Sequence, residues 1–461
     1  MSTAEKDTYT FKRNDEKDVE RFVGIEIYAT SKFKGIGGEY KKLFKDFIVK
    51  EIIHSGKTLS IKEDNKSHPF SKELKDRYTT FNLVKVNRDT FDAIKKIKNN
   101  LSIPYSWINY SGLKDKFSIS VQKISIKGDY IEKLGRLRIK DIFIRNIQPS
   151  KKSVKLGSHK GNNFTIFLRN IENFRNLKEK IDNYISFLND FGFPNYFGLQ
   201  RFGRYRPNSH IAGRYLIEGN FKQAFNELVS TTYSTELSDS KIVRRDLRND
   251  GNLEKAYNNF PKSLNYERNM IHHLIENPGD YSGSLNTLPS SLKQLLVSAF
   301  QSFLFNKMLT LRVAKGFSLF KPIKGDTISI LDDFNGDITR VLYIYGKNYD
   351  ETIDKALDLN RAVIVLPIIG YNTNLDEFPL AKQWLKEIFK HLNLNKKFFS
   401  SEFLNEPKFK GSLRAITSKP IGFKLLQIDD DELYPGKKKV KFEFSLLKGR
   451  YATMLIREII K

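Results

Sequence analysis

A strongly alternating segment near the C-terminus most constrains how this chain can fold. Apolar side chains stand at every second position there, at Val440, Phe442, Phe444 and Leu446. This period of two predicts a strand with one buried face. Residues 46–51 and 78–86, far away in sequence, are also rich in strand-forming residues. A strand pattern towards both ends of the chain indicates that the two ends form one domain around an inserted segment.

The segment between these ends has a different composition. It contains charged and Asn residues over 239–258 and an amphipathic helix pattern over 292–313. Short strand patterns lie in the same segment, at 327–331 and 362–366. A chain of 461 residues is long enough for two or three domains. We therefore interpret residues 224–414 as an inserted domain, and residues 1–223 and 415–461 as the two parts of the first domain.

Helical patterns follow the N-terminal strands. Thr90 can cap a helix whose apolar residues recur at helical spacing, and Pro104 lies just beyond its end. A second helix pattern covers residues 177–188. This order of strands and helices predicts an α+β fold, in which helices pack on one face of a sheet. We interpret residues 1–35 as an N-terminal extension and the polar residues 65–76 as a loop.

The chain carries a large excess of positive charge. Its 79 Lys and Arg residues against 53 Asp and Glu residues give a net charge of +26 at pH 7. Such a charge favours a polyanionic partner, because phosphate contacts supply most of the sequence-independent affinity for nucleic acids. The 36 Phe and 21 Tyr residues favour RNA, since unstacked bases bind flat side chains. Two basic runs, 241–248 and 437–441, could contact phosphate or simply face solvent.

The sequence lacks the residues for several other chemistries. No Cys occurs, which excludes disulfides and Cys-based zinc sites, and the seven His residues show no metal-binding spacing. The Ser-Gly-Lys-Thr run at 55–58 lacks the upstream Gly of a phosphate loop. No signal peptide and no apolar run of about 18 residues is present. We therefore expect a cytoplasmic, monomeric protein without membrane contact, metal, nucleotide or other cofactor.

One carboxylate stands in an unusual local sequence. Asp115 lies between Lys114 and Lys116, after Gly112 and before the alternating residues 118–122. An aspartate is ionised at neutral pH, and a charged, positioned carboxylate can act as a nucleophile. Gly and Asp are also common in ordinary polar turns. This stretch alone leaves both interpretations open.

The Asp115 segment contains a Gly-x-Lys-Asp core, followed by a small residue, a hydroxyl residue and Gln122. Five further motifs occur along the chain: Asp46-Phe47-x-Val49-x-Glu51, Leu156-Gly157 with Lys160-Gly161-Asn162 and Phe164, the run 195–203, Ser298 to Ser302 with Phe305-Asn306, and Gly449 to Glu458. These motifs, in this order, resemble those of the tRNA pseudouridine synthase D (TruD) family, in its archaeal and eukaryotic-like branch. Departures are small: Ser111 and Ser118 stand where the family usually has Ala, and Ser120 where it usually has Thr.

This resemblance implies an RNA pseudouridine synthase, which moves uracil from an N1 to a C5 glycosidic link, at uridine 13 of tRNA. It implies a discontinuous catalytic α+β domain with a mixed or antiparallel sheet, and an inserted α+β TRUD domain. Asp115 would be the nucleophile, attacking either C1′ of the ribose or C6 of the base. As an isomerisation, the reaction would need no metal, nucleotide or redox cofactor, and the basic surface would bind the tRNA backbone.

The same resemblance implies roles for further residues. Phe47, Asn195 and Tyr451 match residues with which the family binds the target nucleotide, and Phe197 lies in the same pocket motif. Aromatic rings can stack on a flipped base, and an amide can pair with the edge of uracil or hold the catalytic carboxylate. Pseudouridine synthases generally place a cation beside the catalytic Asp, and the sequence offers three candidates: Lys114, Arg201 and Arg457.

Two alternatives to this function remain at this point. One is the same chemistry on another uridine, in a tRNA precursor or another RNA. The other is an inactive RNA-binding or RNA-chaperone protein that keeps the fold. The intact Asp115, Asn195 and Tyr451 argue against an inactive protein.

Overall fold

The computed structural model describes residues 8–9, 16–62, 77–203, 205–332, 336–394 and 409–461. Two compact units make up the chain. The first, which we call the sheet unit, comprises Ala29–Phe193 and Ser418–Lys461. The second, the helical unit, comprises Met1–Tyr28 and Pro194–Thr417. The domain limits predicted from the sequence, 223/224 and 414/415, differ from these limits and stay a prediction. The loop predicted over 65–76 lies outside the described residues, as do residues 1–7 and 10–15 of the predicted extension.

The described residues contain strands of two to eleven residues. In chain order they are β1 (Thr8–Tyr9), β2 (Glu39–Tyr40), β3 (Phe47–Ile52), β4 (Tyr78–Val86), β5 (Ile108–Tyr110), β6 (Ile119–Lys127), β7 (Ile142–Ser150), β8 (Gly161–Ile171), β9 (Phe193–Pro194), β10 (Thr232–Tyr233), β11 (Thr327–Leu331), β12 (Ile338–Ile344), β13 (Ala362–Ile368), β14 (Ser412–Ala415), β15 (Thr417–Ser418), β16 (Ile421–Asp430) and β17 (Lys438–Leu447).

The α-helices of the same residues are α1 (Glu16–Phe22), α2 (Thr90–Leu101), α3 (Ile131–Arg136), α4 (Leu177–Phe191), α5 (Ser209–Ile217), α6 (Phe221–Val229), α7 (Ser238–Asp250), α8 (Leu253–Asn259), α9 (Asn265–Glu276), α10 (Tyr281–Asn286), α11 (Ser290–Ala314), α12 (Asp350–Asp358), α13 (Pro379–Leu392) and α14 (Ala452–Ile460). Single 3₁₀ turns lie at Phe44–Asp46, Tyr105–Trp107, Leu199–Arg201 and Leu375–Glu377.

The sheet unit is built on a mixed sheet of nine strands. Seven of them follow the order β16-β17-β8-β3-β6-β4-β7, while β2 pairs with β8 and β5 pairs with β6. β3 and β6 are parallel, and the other neighbours are antiparallel. The C-terminal strand β17 therefore lies inside the sheet, between β16 and β8. This arrangement agrees with the mixed sheet and the α+β class predicted from the sequence.

Helix α2 covers the β4 side of this sheet. Its residues Ala93, Ile94 and Ile97 are completely buried in one cluster with Phe81 and Leu83 of β4. Removing these apolar side chains from water supplies the main driving force for the packing, at about 25 cal/mol per Å² of apolar surface. Helix and strand therefore hold each other in place.

The predicted capping residue of α2 is wrong. Asp89, not Thr90, precedes the helix, and its side chain accepts hydrogen bonds from the backbone N–H groups of Phe91 and Asp92. An aspartate carboxylate is at least as good an N-cap acceptor as a threonine hydroxyl. Thr90 becomes the first helical residue, and its hydroxyl is free to bond to Lys114.

The helical unit is organised around the buried helix α11. α5 packs against it closely, because Gly213 has no side chain: a Cβ at this position would lie 2.0 Å from the carbonyl oxygen of Leu296. A four-stranded antiparallel sheet, in the order β12-β11-β13-β14, completes the unit. None of the helices in the described residues has the length and apolar character needed to cross a bilayer.

Candidate active site

The loop of residues 111–118, which we call the Asp115 loop, connects β5 to β6 within the nine-stranded sheet. β6 runs parallel to β3, with Ile119 opposite Ile48. Because parallel strands start at the same edge of a sheet, Phe47 at the start of β3 lies level with the end of the loop. The sheet thus brings together two residues that the sequence predicts for the site, Phe47 and Asp115.

Lys41 provides the positive charge next to Asp115. Its Nζ lies 2.5 Å from Oδ2 of Asp115 and 4.0 Å from the centroid of the Phe47 ring. A carboxylate on one side and an aromatic face on the other both attract an ammonium group. The side chain of Lys41 is 17% exposed and that of Asp115 is 35% exposed. The carboxylate is therefore held by a cation and still open to solvent.

A buried ion-pair cluster fixes the chain between Lys41 and Phe47. Asp46 accepts a hydrogen bond from the backbone N–H of Leu43, 2.8 Å away, and pairs with Arg169 at 2.9 Å. Arg169 also pairs with Asp431 at 2.9 Å. The side chain of Arg169 is 2% exposed, and its planar guanidinium group with five donors suits such multiple pairing. Arg169 of β8 therefore anchors the turn that carries Lys41 into the site.

Two donors hold the main chain at Asp115. The carbonyl oxygen of Asp115 accepts hydrogen bonds from Ser118 Oγ at 2.6 Å and from Lys85 Nζ at 2.5 Å. Lys85 lies in β4 and is completely buried. Burial lowers the pKa of its ammonium group to about 8, and the nearby carboxylates of Asp115 and Asp89 oppose this change. The Asp115 loop is thus fixed from inside the protein as well as through its side chain.

Lys114, one of the three predicted partners of Asp115, points into the protein instead. Its Nζ lies 2.9 Å from Oε2 of Glu51 and donates to Oδ1 of Asn162 at 2.7 Å. Glu51 is also buried and accepts from the hydroxyl of Ser111 at 2.7 Å. Buried charges need such pairing, because an isolated charge is strongly disfavoured in the protein interior. Lys114 therefore locks the Asp115 loop onto β3.

The two predicted residues near the C-terminus lie in the sheet unit as well. Tyr451 is half-buried and stands immediately before α14. Arg457 is buried in α14, with its Nη1 3.9 Å from Oε1 of Glu458. Glu458 accepts hydrogen bonds from the backbone N–H and the hydroxyl of Thr30, and burial raises the pKa of its carboxyl group. These contacts attach α14 to the start of the sheet unit. The ion pair of Asp115 among the described residues is with Lys41.

The remaining predicted residues lie in the helical unit. Asn195 is 1% exposed; its Nδ2 donates to the carbonyl of Ala415 at 2.9 Å and its Oδ1 accepts from Arg414 at 2.8 Å. The Arg414 guanidinium group lies 4.0 Å from the centroid of the Phe197 ring. Arg201, another predicted partner of Asp115, donates through Nε to the hydroxyl of Ser302 at 3.2 Å. Asn195 and Phe197 are therefore positioned by one arginine.

Comparisons with known proteins identify the family. The family model described as tRNA pseudouridine synthase D (TruD) matches residues 22–459. The chain belongs to the TruD family. It is 31% identical to a tRNA pseudouridine synthase D of Methanosarcina mazei over 452 residues, covering 96% of this chain and 98% of the relative. A relative from Methanocaldococcus jannaschii is 32% identical over 443 residues, covering 95% and 99%. The crystal structure of the Methanosarcina mazei TruD superimposes with a TM-score of 0.76 at 30% identity, covering 96% of this chain and 98% of that one.

Membership in the TruD family confirms the resemblance seen in the sequence motifs, and these relatives are archaeal. The match to a solved TruD structure confirms the predicted α+β class. The chain is therefore a pseudouridine synthase, which is an isomerase.

Several side chains of the two basic runs noticed in the sequence are paired with carboxylates in this TruD chain. Lys437 pairs with Glu172, Lys438 with Asp430 at 2.7 Å, and Lys439 with Glu432 at 2.5 Å. In the other run, Arg244 is buried between Glu236 at 2.6 Å and Glu267 at 2.7 Å. Paired side chains have less charge to offer to phosphate. For residues 437–439 these contacts favour the interpretation of a surface that faces solvent in ion pairs, and Arg244 is buried.

Sequence reasoning did not single out three cations that contact the predicted residues, each within its own unit: Lys41 and Lys85 in the sheet unit and Arg414 in the helical unit. Lys41 lies six positions before Phe47, in a Tyr-Lys-Lys run with no pattern of its own. Lys85 offered a signal, because it is a charged residue inside a segment that otherwise reads as a buried strand. Arg414 stands in an ordinary strand sequence. Only the folded chain shows which carboxylates, carbonyls and rings these cations meet.

Proposed function

We propose that this chain isomerises uridine 13 of tRNA to pseudouridine, with Asp115 as the nucleophile. The observation that carries this proposal is the ion pair between Lys41 and Asp115. It holds a carboxylate at the edge of the sheet, while 35% of the aspartate side chain stays exposed to a substrate. Catalytic groups need such fixed positions, because a correctly oriented reactant avoids a large entropic barrier.

The chemistry requires one nucleophile and a site that retains the detached base. Asp115 attacks either C1′ of the ribose, displacing uracil from N1, or C6 of the base. In both routes the glycosidic bond from C1′ to N1 breaks, the base turns within the site and a bond forms from C1′ to C5. The bond to Asp115 then breaks, C5 loses its proton and N1 gains one, so that the product is an isomer of the substrate and the carboxylate is regenerated. The Lys41 ammonium group stays beside the carboxylate throughout, since Phe47 and Asp115 contact it from two sides.

We propose that four residues bind the target nucleotide: Phe47, Asn195, Phe197 and Tyr451. Tyr451 is the half-buried ring of this set, and we assign it the stacking contact with the flipped base. Phe47 is 3% exposed and Phe197 is 8% exposed, so each ring is buried within its own unit. Asn195 retains one amide proton and one carbonyl lone pair beyond its contacts with Ala415 and Arg414. These groups match the acceptor and donor on the edge of uracil.

The partner in this proposal is tRNA, bound through a basic surface. The net charge of +26 supports it. Lys116, next to Asp115, is exposed, as is Lys95 in α2. We assign to these exposed side chains contacts with RNA phosphates, in contrast to the paired lysines at 437–439.

The test is a pseudouridine assay with the purified full chain. Unmodified tRNA transcripts are incubated with the wild type, with Asp115→Asn and with a control variant, and pseudouridine is mapped by mass spectrometry. Asp129→Asn is the control, because Asp129 is exposed and lies beyond the far end of the strand that begins after the Asp115 loop. We expect pseudouridine at position 13 with the wild type and the control, and none with Asp115→Asn.

Each other outcome identifies a different error. Equal product from wild type and Asp115→Asn would exclude Asp115 as the nucleophile. Pseudouridine at another position, unchanged in transcripts with cytidine at position 13, would show that another uridine is the target. Wild type that binds tRNA but yields no product on any RNA would indicate an inactive RNA-binding protein.

We also propose that the enzyme acts as a cytoplasmic monomer without a cofactor. The isomerisation changes neither the oxidation state nor the atoms of the substrate, so no redox or group-transfer partner is required. Dialysis against a chelator should leave the rate unchanged, and light scattering should give a mass near 53.6 kDa. A rate that falls on dialysis and recovers with added metal would contradict the proposal.

A further inference from the structure

Lys85 is a charged residue in one of the most enclosed positions of the sheet unit. It lies near the end of β4, which is flanked by β6 and β7. Its relative exposure is 0%, as is that of Leu83 on the same strand. An apolar side chain is the usual occupant of such a position, because transfer of an ammonium group from water into the protein is unfavourable. Its presence therefore calls for a compensating contact.

That contact is with the main chain of two loops. Lys85 Nζ donates to the carbonyl oxygen of Asp115 at 2.5 Å and to that of Arg88 at 2.8 Å. Arg88 belongs to the turn between β4 and α2, and Asp115 belongs to the Asp115 loop. One ammonium group thus joins the two loops at the residue that carries the nucleophile.

Two neighbouring contacts fasten the same loops without involving Lys85. Asn87 donates its backbone N–H to the carbonyl of Ser118 at 2.9 Å. The hydroxyl of Thr90 accepts from the backbone N–H of Lys114 at 3.1 Å. These bonds hold the residues on either side of Asp115, whereas Lys85 fixes Asp115 itself. Loss of the lysine amine should therefore shift the nucleophile without unfolding the loop.

The charged groups around Lys85 oppose one another. The carboxylates of Asp115 and Asp89 favour its charged form, and the ammonium group of Lys114 disfavours it. The guanidinium group of Arg88 is engaged elsewhere, with Asp92 at 3.0 Å and Asp141 at 3.1 Å. Burial is the largest influence and brings the pKa of Lys85 to about 8. The amine therefore changes charge within a pH range that an enzyme assay can cover.

We propose that Lys85 is a positioning residue that holds the Asp115 main chain in its catalytic geometry, and that its protonation limits the rate at alkaline pH. This inference rests on the proposed role of Asp115 as nucleophile. The charged amine donates strong hydrogen bonds to both carbonyls, and these weaken when it loses a proton. Being buried, Lys85 cannot contact the RNA, so its effect should fall on kcat and leave KM nearly unchanged.

The first test compares Lys85→Met with the wild type and with Lys127→Met, using an unmodified tRNA transcript and the full chain. Lys127 is exposed and ends the strand that follows the Asp115 loop, so its variant controls for loss of a lysine. We expect kcat to fall roughly 10- to 100-fold in Lys85→Met, the size of effect that a displacement of about 1 Å produces. KM and the circular dichroism spectrum should stay close to those of the wild type.

The second test is the pH profile of kcat between pH 6 and 9.5. The wild-type rate should fall above pH 8 along a limb that corresponds to loss of one proton. This limb should be absent from the profile of Lys85→Met. In Lys85→Arg the side chain keeps its positive charge, so the limb should move to higher pH, and kcat should be higher than in Lys85→Met. If either variant fails to fold, the wild-type limb and the remaining variant still decide the question.

The results separate this inference from the proposed function. If Lys85→Met has the wild-type kcat and the same alkaline limb, the positioning role is wrong while Asp115 can still be the nucleophile. A rise in KM with unchanged kcat would also overturn it. If Asp115→Asn is as active as the wild type, the proposed function fails first, whatever Lys85 does.

Discussion

The ammonium group of Lys41 lies 2.5 Å from the carboxylate of Asp115, although 74 positions separate the two residues in the chain. Lys41 has a left-handed backbone conformation, with φ of 57°. Non-glycine residues adopt this conformation only in a few per cent of cases. The buried pairing of Asp46 with Arg169 just downstream fixes the chain here, so an unfavourable conformation is kept where it directs the Lys41 ammonium group to Asp115.

This pairing predicts that Lys41 matters for turnover more than for folding. Lys41→Met should lower kcat by roughly 10- to 100-fold, because the carboxylate loses the group that orients it. The free energy of unfolding should change by less than about 1 kcal/mol, since partly exposed ion pairs contribute little. Lys42→Met is the matched control, because Lys42 pairs with Glu39 instead. Steady-state kinetics and urea unfolding measure both effects. Equal kcat in the two variants would contradict the assignment.

The buried pair of Lys114 and Glu51 predicts the opposite balance. Glu51→Gln leaves the ammonium group of Lys114 buried without its counter-charge, so the free energy of unfolding should fall by about 3–5 kcal/mol. Glu132→Gln removes an exposed pair with Arg136 and should change stability by less than about 1 kcal/mol. Denaturant unfolding at pH 7 measures both. The double variant Glu51→Leu with Lys114→Met should recover much of the loss, because two apolar residues replace two charges. A single variant as stable as the wild type would show that the pair is not desolvated.

Lys85 predicts a distinct dependence of stability on pH. Its pKa is about 8 in the folded chain against an ordinary value of 10.5. Between these values the unfolded chain binds a proton that the folded chain does not, so the wild type gains stability as pH rises. From pH 7 to pH 10.5, the free energy of unfolding of the wild type should rise by about 3 kcal/mol relative to that of Lys85→Met. Urea unfolding at several pH values measures this difference. A constant difference would mean that the lysine stays charged when buried.

His210 predicts sensitivity to acid in the helical unit. Burial lowers the pKa of this imidazole to about 3, and its ring stacks on Phe303 at a centroid distance of 4.8 Å. Between pH 6.5 and pH 3 the unfolded chain binds a proton that the folded chain does not, so stability falls as pH falls. His210→Phe removes the group that binds this proton and keeps an aromatic ring. Between neutral pH and pH 5, the free energy of unfolding of the wild type should fall by about 2 kcal/mol more than that of the variant. Parallel loss in both chains would place the acid-sensitive group elsewhere.

Local patterns predicted individual strands and helices well. The predicted strand 78–86 is the observed β4, and the alternating residues 440–446 lie inside β17. The helix predicted at 292–313 is observed as α11, from Ser290 to Ala314. These elements are visible in sequence because burial repeats every two residues in strands and about every 3.6 in helices.

Contacts between distant residues could not be predicted in the same way. The motif around Asp115 predicts a nucleophile at this residue, and that stays a prediction; the cations that the sequence suggests for it are Lys114, Arg201 and Arg457. Lys114 is turned inwards by Glu51, and the parallel pairing of β3 with β6 brings Lys41 there instead. The choice depends on which strands pair and in which register, and single-sequence patterns do not contain that information. Asp89 was missed as the helix cap for a simpler reason, because both Asp and Thr fit the position.

The internal position of β17 has a consequence for biosynthesis. This strand fills the gap between β16 and β8, yet it is translated after all of the helical unit. While the ribosome is still making residues 194–417, β8 presents an open edge, and such edges promote aggregation. All residues of the helical unit are translated before residues 418–461 of the sheet unit, so the helical unit can fold first. Asp115, the proposed nucleophile, therefore lies in an incomplete sheet until β17 has been translated.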